Sequence, residues 1–480
     1  MDLTNLNYRL ITPEVFLFVW SMIILFIGVG NKDRTPRVTG VLSLIGLAIT
    51  FALVAFTPEG KFINDAFIFD KYAQAFKLIF IGAAFMTIFG SLDFIARRMT
   101  NRGEFFALLL MCTTGMMFLA SAGELISMYV ALELSTISLY ILATYMKKDQ
   151  KSTEAGLKYL ILGGASSGIL LYGLSLLYGL TGSTFMSEIG MKLFMGPGTA
   201  KAAYFAIVMF MAGFGFKLAA APFHMWAPDV YEGAPTPVTA FLSVASKGAG
   251  LAAFVRLFFT SLIIAKAEWT VVIEVVAILA MVIGNVVALL QTNIKRMLAY
   301  SSIAQVGYVL VALAAGIDLS VGSMMIFLLA YLFANIGAFI IVIAFSNATG
   351  SDKIADYAGL IKRSPTAAVI MAIFMLSLVG IPPTAGFFAK YWLFAAAVKE
   401  GLYGLVVVAV LTSVISLFYY MNVVRVMFFH PAKEESTISL SGMVKTSLAI
   451  SVIMVLIICI FPSEFYSWAK MASEVFTYSF

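Results

Sequence analysis

The chain has 480 residues, of which 61% are hydrophobic and 12% charged, and its mean hydropathy is +0.99. A water-soluble domain needs far more charge to cover its surface, so this balance excludes that class and leaves a polytopic helical membrane protein. The net charge of +6 is spread over loops and calls for no nucleic-acid partner.

Two cysteines, Cys112 and Cys459, lie far apart inside apolar runs, and the two histidines, His224 and His430, form no spaced pair on one helix. No CxxC, no Cys/His cluster, no GxGxxG after a strand and no P-loop occurs. The sequence therefore offers no ligand set for metal, haem or nucleotide chemistry, and the chain is expected to carry no cofactor of its own. The N-terminus, MDLTNLNYRLITPEVFLFVW, has no basic stretch directly before an apolar one and no small-residue cleavage site. Its first apolar run is read as a retained helix.

Taken in order, hydropathy predicts about fourteen spans. They are residues 14–30, 38–56, 74–95, 104–121, 125–146, 155–180, 200–222, 238–264, 270–291, 297–316, 321–346, 366–399, 402–429 and 444–461. No long linker or low-complexity tract divides them, so residues 1–480 read as one membrane domain. Within it, three N-terminal helices (14–95) precede a first repeat (104–264), a second repeat (270–429) and a last helix (444–461). The tail SEFYSWAKMASEVFTYSF is too short for another span or an extended extramembrane helix.

Loops after odd-numbered spans hold most of the basic residues. These are Lys32, Arg34, Arg37, Arg97, Arg98, Arg102, Lys147, Lys148 and Lys151, then Lys295, Arg296, Lys353, Lys362, Arg363, Arg425 and Lys433. Short basic loops stay in the cytoplasm, which places both termini on the periplasmic side.

One stretch stands apart, Gly213 to Gly250, GFGFKLAAAPFHMWAPDVYEGAPTPVTAFLSVASKGAG. Pro222, Pro228, Pro235 and Pro237 interrupt it, and proline removes a backbone donor and clashes with the carbonyl a turn earlier. At membrane depth such a break survives only where protein or a water-filled cavity supplies the lost partners. Span 366–399 is too long for one straight crossing and contains Ile381-Pro382-Pro383, so it too is read as two half-helices. The seventh and twelfth spans are each the fourth in a run of five, spans 4–8 and 9–13. Paired broken helices at matching positions point to two inverted repeats with a transport site between them.

Each ionisable residue within a span has a structural reading beside a functional one. An ammonium at a helix centre costs roughly 2.5–3.5 kcal/mol on insertion scales. Glu133 is the only charge in LISMYVALELSTISLYILA, either a buried neutral carboxyl or a lysine's partner. Lys158, at the start of the sixth span, either snorkels to headgroups or joins the path. Lys217 lies beside the break. Lys247 is about nine residues into its helix, about 14 Å deep at 1.5 Å per residue. Lys390 sits about two turns past Pro383, deep in the membrane or at its interface. His224, next to Pro222, joins the polar path or only packs in the break. In MLAYSSIAQVGYVL, Tyr300, Ser301, Ser302, Gln305 and Tyr308 either line a hydrated connection or only hold helices together. Arg256, Glu274, Asp93, Lys77 and Arg425 fall towards span ends and are expected to snorkel or pair at the interface.

FKLAAAPFHMWAPDVYEGAPTPVTAFLSVASK, KRMLAYSSIAQVGYVL and GIPPTAGFFAKYW resemble the antiporter-like subunits of respiratory complex I. The resemblance covers essentially the whole chain and is strongest to their subunit N branch, the bacterial counterpart of mitochondrial subunit 2. YEGAPTPVTAFLSVASK separates that branch from its L and M relatives, and the short tail is unlike the long lateral helix of L. The resemblance implies that Glu133, Lys217, Lys247 and Lys390 are proton-transfer residues and that Lys158 is auxiliary. It also implies a place in the bacterial inner membrane, among antiporter-like and small membrane subunits and surrounded by lipid. NADH, flavin, iron–sulfur clusters and quinone would be held by other subunits of an NADH:quinone oxidoreductase. Gln305 stands where members of the family often carry His, which removes the titratable group at that point.

A lysine exchanges its proton near neutral pH only when withdrawn from water, and an approaching carboxylate tightens its hold again. Glu133 near Lys217 would load that lysine; Glu133 turned towards Lys158 would release it, and the proton would pass by water to Lys247 and Lys390. Nothing in the chain supplies the driving energy, which the resemblance assigns to electron transfer from NADH to quinone elsewhere. One alternative is a subunit of a stand-alone multi-subunit cation/proton antiporter driven by an ion gradient. Another is a purely structural scaffold, which the buried charges argue against.

Overall fold

The computed structural model describes residues 7–30, 36–195, 199–432 and 436–477; Lys32, Arg34 and Lys433 of the basic loops lie outside them. Apolar runs fold as helices because within lipid a helix satisfies its backbone groups inside one segment. The N-terminal set is α1 (Thr12–Gly30), α2 (Pro36–Phe56) and α3 (Lys71–Arg98). A small antiparallel hairpin, β1 (Gly60–Phe62) with β2 (Phe67–Phe69), joins α2 to α3 and pairs Gly60 with Phe69. Next come α4 (Arg102–Ser121), α5 (Leu125–Ala143), α6 (Gln150–Thr181), the short amphipathic α7 (Met186–Met195), α8 (Thr199–Leu218) and α9 (Trp226–Gly233). The following span is α10 (Thr236–Phe241) and α11 (Lys247–Thr260), joined by a π-helical turn at Leu242–Ser246. The second half holds α12 (Lys266–Ala288), α13 (Ile294–Ala315), α14 (Ile317–Thr349), the single turn α15 (Leu360–Arg363), α16 (Pro365–Val379), α17 (Ala385–Lys399) and α18 (Tyr403–Phe429). Then α19 (Gly442–Ile460) and α20 (Pro462–Thr477) close the described chain.

Among the described residues, twelve helices are long and apolar enough to cross a membrane. Two shorter apolar ones, Ala203–Leu218 and Pro365–Val379, are the first halves of the interrupted spans. The interior is formed by α10–α11, α13 and α14, which are buried almost throughout, whereas α1, α2, α6, α18 and α19 turn many apolar residues outwards. Close backbone approach seats α13 on α12: a Cβ added at Gly284 would lie 2.6 Å from the Ala304 nitrogen, and one at Gly307 would lie 2.9 Å from that of Met281. Loops alternate between two ends of the molecule, as the charge pattern requires. The hairpin, Gly123, α7, Ile263 and Phe476 surround one cavity at one end. At the other, the basic end, Lys151 reaches Glu232, Asn293 pairs with Lys353, and Ile438 bonds Arg363.

One expectation is corrected. Lys77 and Arg256 do not snorkel. Lys77 pairs with Glu14 at 2.6 Å with neither side chain exposed, and its Nζ stands 4.2 Å from the centre of the Phe69 ring. Arg256 donates two 2.9 Å hydrogen bonds to Asp70, whose carboxylate also caps α3 through Ala73 N–H. Helix position alone puts these charges near the surface, but the hairpin folds over Lys77 and Phe476 of α20 covers the Arg256 side. The tail is also more than a short end. Phe465, Ala469, Ala472 and Phe476 form an apolar stripe at helical spacing, and α20 lays that stripe along α14 and α3. Tyr466 stacks on Trp392 with ring centres 4.0 Å apart.

Removing one partner of a buried ion pair leaves the other charge stranded, at about 3–5 kcal/mol. Lys77→Met should therefore sharply reduce the amount of folded protein recovered from membranes. The double change Lys77→Met with Glu14→Leu should restore most of it, as read by the thermal midpoint of the detergent-purified protein. Equal loss in the single and double variants would contradict a paired role.

Candidate functional site

The two breaks share one local design. α8 ends in a Schellman turn: Ala220 N–H bonds the Gly215 carbonyl at 2.8 Å, and Ala219 takes the left-handed conformation at φ 57°. α16 ends the same way, with Ile381 N–H on the Leu376 carbonyl at 3.2 Å and Gly380 at φ 90°. That conformation favours glycine, and an alanine there costs about 1–2 kcal/mol. At each helix end a side chain from the second half adds a donor to a carbonyl of the last turn. Trp226 Nε1 donates to the Phe216 carbonyl at 2.9 Å, and Lys390 Nζ donates to the Val379 carbonyl at 2.8 Å. Pro222, Pro382 and Pro383, which have no N–H to satisfy, are among the residues the breaks leave exposed.

Lys217, Lys247 and Lys390 are 4%, 3% and 4% exposed. Among the described residues, no carboxylate comes within ion-pair distance of any of them. Each ammonium rests instead on neutral oxygens. Lys217 Nζ donates to the Thr136 hydroxyl at 2.7 Å. Lys247, which follows the π turn directly, donates to the Ser302 carbonyl at 3.0 Å and to the Ser302 hydroxyl. Lys390 donates to the Val379 carbonyl and, at 3.0 Å, to the Ser413 hydroxyl, and sits 4.4 Å over the Tyr308 ring. The first two are neighbours in space: a Cβ on Gly250, one turn beyond Lys247, would meet the Lys217 stem at 3.0 Å.

On α13 the open question of the polar run resolves by face. Ser302, Gln305 and Tyr308, spaced by three, lie on one side of the helix. Ser302 holds Lys247, Tyr308 underlies Lys390, and Gln305 lies between, donating to the Leu378 carbonyl at 2.9 Å. Ser301 donates to the Leu298 carbonyl of its own helix and otherwise meets the neutral Tyr420, and Tyr300 is half-buried.

Glu133 is half-buried and contacts neither lysine; its carboxylate accepts a 2.5 Å hydrogen bond from Ser167. Lys158 is at the basic end and is already paired, with Glu154 and with Asp229, both at 2.8 Å. Asp229 is shared with Arg296 at 2.8 Å, and Arg296 also reaches Glu232 at 3.1 Å. Burial works to raise the Asp229 carboxyl, but Lys158 and Arg296 outweigh it and hold the group below its ordinary value. These charges line a cavity of about 200 Å³. His224 is buried in the first break with Nδ1 free of a protein partner, and touches none of the three deep lysines.

Residues that the sequence reading passed over are Thr136, Asp229 and Ser413. Thr136 had a signal: it follows Glu133 by three on the same helix face. Asp229 and Ser413 come from elements whose approach no local pattern announces.

Residues 122–416 match the NADH:quinone oxidoreductase/Mrp antiporter transmembrane family. NADH-quinone oxidoreductase subunit N of Desulforamulus reducens is 41% identical over 472 residues, covering 98% of this chain and 99% of its own length. The chain belongs to the subunit N family of the NADH-quinone oxidoreductases. A chain in the structure of respiratory complex I from Thermus thermophilus with bound Aureothin superposes with a TM-score of 0.82 at 32% identity, covering 95% of this chain and 98% of that one. A chain of the Mrp complex from a Dietzia species reaches a TM-score of 0.83 at 18% identity over 96% and 97%, a likeness of fold alone.

Adjacent serines on α13 provide an internal control for the site. A hydrogen bond to a charged group contributes about 1.5–3 kcal/mol. Ser302→Ala should therefore lower the thermal midpoint of the purified protein clearly more than Ser301→Ala, whose hydroxyl meets no charged group. Equal effects would mean that Lys247 gains nothing from Ser302.

Proposed function

We propose that this chain is a proton-translocating, antiporter-like membrane subunit of an NADH:quinone oxidoreductase, moving protons along Glu133, Lys217, Lys247 and Lys390. The observation that carries this is the set of three buried lysines whose ammonium groups rest on hydroxyls and carbonyls. A carboxylate partner would lock an ammonium in place, as Glu14 does for Lys77. A neutral oxygen bonds the amine in either protonation state, so the proton can leave without tearing the site apart. The family relationship supports the assignment to this oxidoreductase rather than to a stand-alone antiporter. Oxidation of NADH and reduction of quinone, with their flavin and iron–sulfur cofactors, fall to other subunits, and the energy reaches this chain through contacts with neighbouring membrane subunits.

On this reading the membrane is a bacterial inner membrane, crossed fourteen times when each interrupted helix is counted with its second half. The basic end is cytoplasmic and both termini are periplasmic. Spans 4–8 and 9–13 are inverted repeats, which the matching turns at Ala219 and Gly380 support. Glu133 leaves Ser167 to approach Lys217, and Lys158 gives up Asp229 or Glu154 when it engages Glu133. Lys158 and His224 act as auxiliaries.

Lysine is required at position 247 only if the site must hold and release a proton. Arginine keeps the charge but stays protonated at any accessible pH. Lys247→Arg should thus abolish NADH-driven proton uptake into membrane vesicles at least as fully as Lys247→Ala, at matched levels of assembled complex. Near-normal pumping by the arginine variant would rule out proton exchange there. Glu133→Gln and Lys217→Ala should each depress quinone reduction and proton uptake together while assembly on a native gel survives. Full activity in both would return the pair to a structural role.

A further inference from the structure

At the end of the molecule away from the basic loops lies a cavity of about 910 Å³ that the proton path does not use. Small-molecule sites usually fall between roughly 300 and 1,000 Å³ and are mostly apolar with a few placed polar groups. Here the apolar wall is Ile68 of the hairpin, Met191, Phe194 and Met195 of α7, Ile264 and Val475. α7 carries two apolar faces. Met186, Ile189 and Leu193 are buried against the protein, whereas Met191, Phe194 and Met195 are 55%, 76% and 75% exposed. Glu188 and Lys192, four apart, form its polar edge. A second apolar face of this kind marks a surface that something else covers. α7 also packs on α8 and on the turn Ile263–Ala265 that leads into α12. Both of those helices turn apolar residues outwards, among them Phe205, Val208, Val271 and Val275. The cavity wall therefore continues into the surface that meets the bilayer.

The charges in the cavity cancel: Lys61 and Arg256 stand against Asp65 and Asp70. Arg256 and Asp70 are buried and committed to each other. Lys61 and Asp65 pair at 2.6 Å on the open edge, with side chains 61% and 33% exposed. Their turn is held in place, since Gly123 N–H bonds the Ala66 carbonyl at 3.0 Å and a Cβ on Gly123 would strike the Asp65 carbonyl. The edge thus presents one cation and one anion side by side, with no net charge.

We propose that this cavity binds a membrane phospholipid with a phosphoethanolamine head, its acyl chain along α7 and its head on Lys61 and Asp65. The Lys61 ammonium donates to the phosphate oxygens, and the ammonium of the head donates to the Asp65 carboxylate. Each member of the protein's own pair exchanges one opposite charge for another, so neither is left bare. A head with a single negative charge would satisfy Lys61 and meet repulsion at Asp65. A choline head has the charge but no N–H to give the carboxylate. Methylenes of the chain leave bulk lipid for the wall of Met191, Phe194 and Met195, and cover the second apolar face of α7. None of the residues involved belongs to the proton path, so the site stands or falls apart from it.

The test uses the assembled complex in phosphatidylcholine vesicles with a trace of phosphatidylethanolamine that carries a photoreactive group on one acyl chain. After illumination, peptide mass spectrometry should find the label on α7 and at Ile264. Ser187→Trp fills the cavity from α7 and Met191→Glu sets a charge in its apolar wall. Each should lower that labelling about tenfold, the factor for two methylenes kept out of the cavity, and leave other lipid-facing segments labelled as before. In the unaltered complex, excess unlabelled phosphatidylethanolamine should remove the label and the same excess of phosphatidylglycerol should not. Asp65→Asn, which suits the left-handed turn at φ 70°, should erase that preference. Competition in the unaltered complex needs no variant, so the test survives a misfolded one. Cavity labelling that both wall variants leave unchanged overturns the site, and so does equal competition by phosphatidylglycerol, the mark of unselective boundary lipid. An unlabelled cavity beside labelled lipid-facing segments overturns it too, and would mean that a partner subunit covers α7.

Discussion

A helix that stops inside a bilayer strands carbonyls that water would otherwise satisfy, and the architecture rests on how those carbonyls find donors. Both interrupted helices solve this from within. Each closes its last turn with a left-handed residue, and each receives a side-chain donor from the segment beyond the break, Trp226 on Phe216 and Lys390 on Val379. In the second break the donor is also a cation. A neutral amine keeps two N–H groups, so the Val379 carbonyl stays satisfied whether or not Lys390 carries its extra proton. Backbone satisfaction at this break thereby does not depend on the charge of that nitrogen.

Two kinds of buried charge coexist in the chain, and they differ in partner chemistry rather than in depth. Lys77 and Arg256 face carboxylates, fix the first helices and the hairpin to the rest, and have no route to lose their charge. Lys217, Lys247 and Lys390 face oxygens that favour neither form strongly. The basic end supplies a third environment, where Lys158, Arg296, Asp229 and Glu232 share partners around an open cavity. A charge there is screened, whereas a buried one at Lys247 is costly to hold.

Much of this was legible in the sequence. Proline placement located both breaks, and helix depth identified Lys217 and Lys247 as residues that could not reach the surface. Lys390 was harder, because a lysine two turns past a break also has an interfacial reading until Val379 and Ser413 are seen around it. Tertiary cover was invisible. Lys77 and Arg256 looked peripheral because a hydropathy profile cannot tell that Phe67, Phe69 and Phe476 fold over them. The Glu133 environment was missed for the same reason: its nearest partner, Ser167, comes from the facing helix and belongs to no motif. The tail, too short for a span, carried an amphipathic spacing that told where its helix packs.

The residue as far past Ala219 as Lys390 is past Gly380 is Asp229. The two side chains end in unlike surroundings, for Asp229 lines the open cavity at the basic end whereas Lys390 is buried. The turn itself is set by a few local residues, the capping position and the prolines after it, and leaves the chain beyond it free to vary. A helix end built in this way lets the chemistry of the next segment change without refolding the helix that stops there.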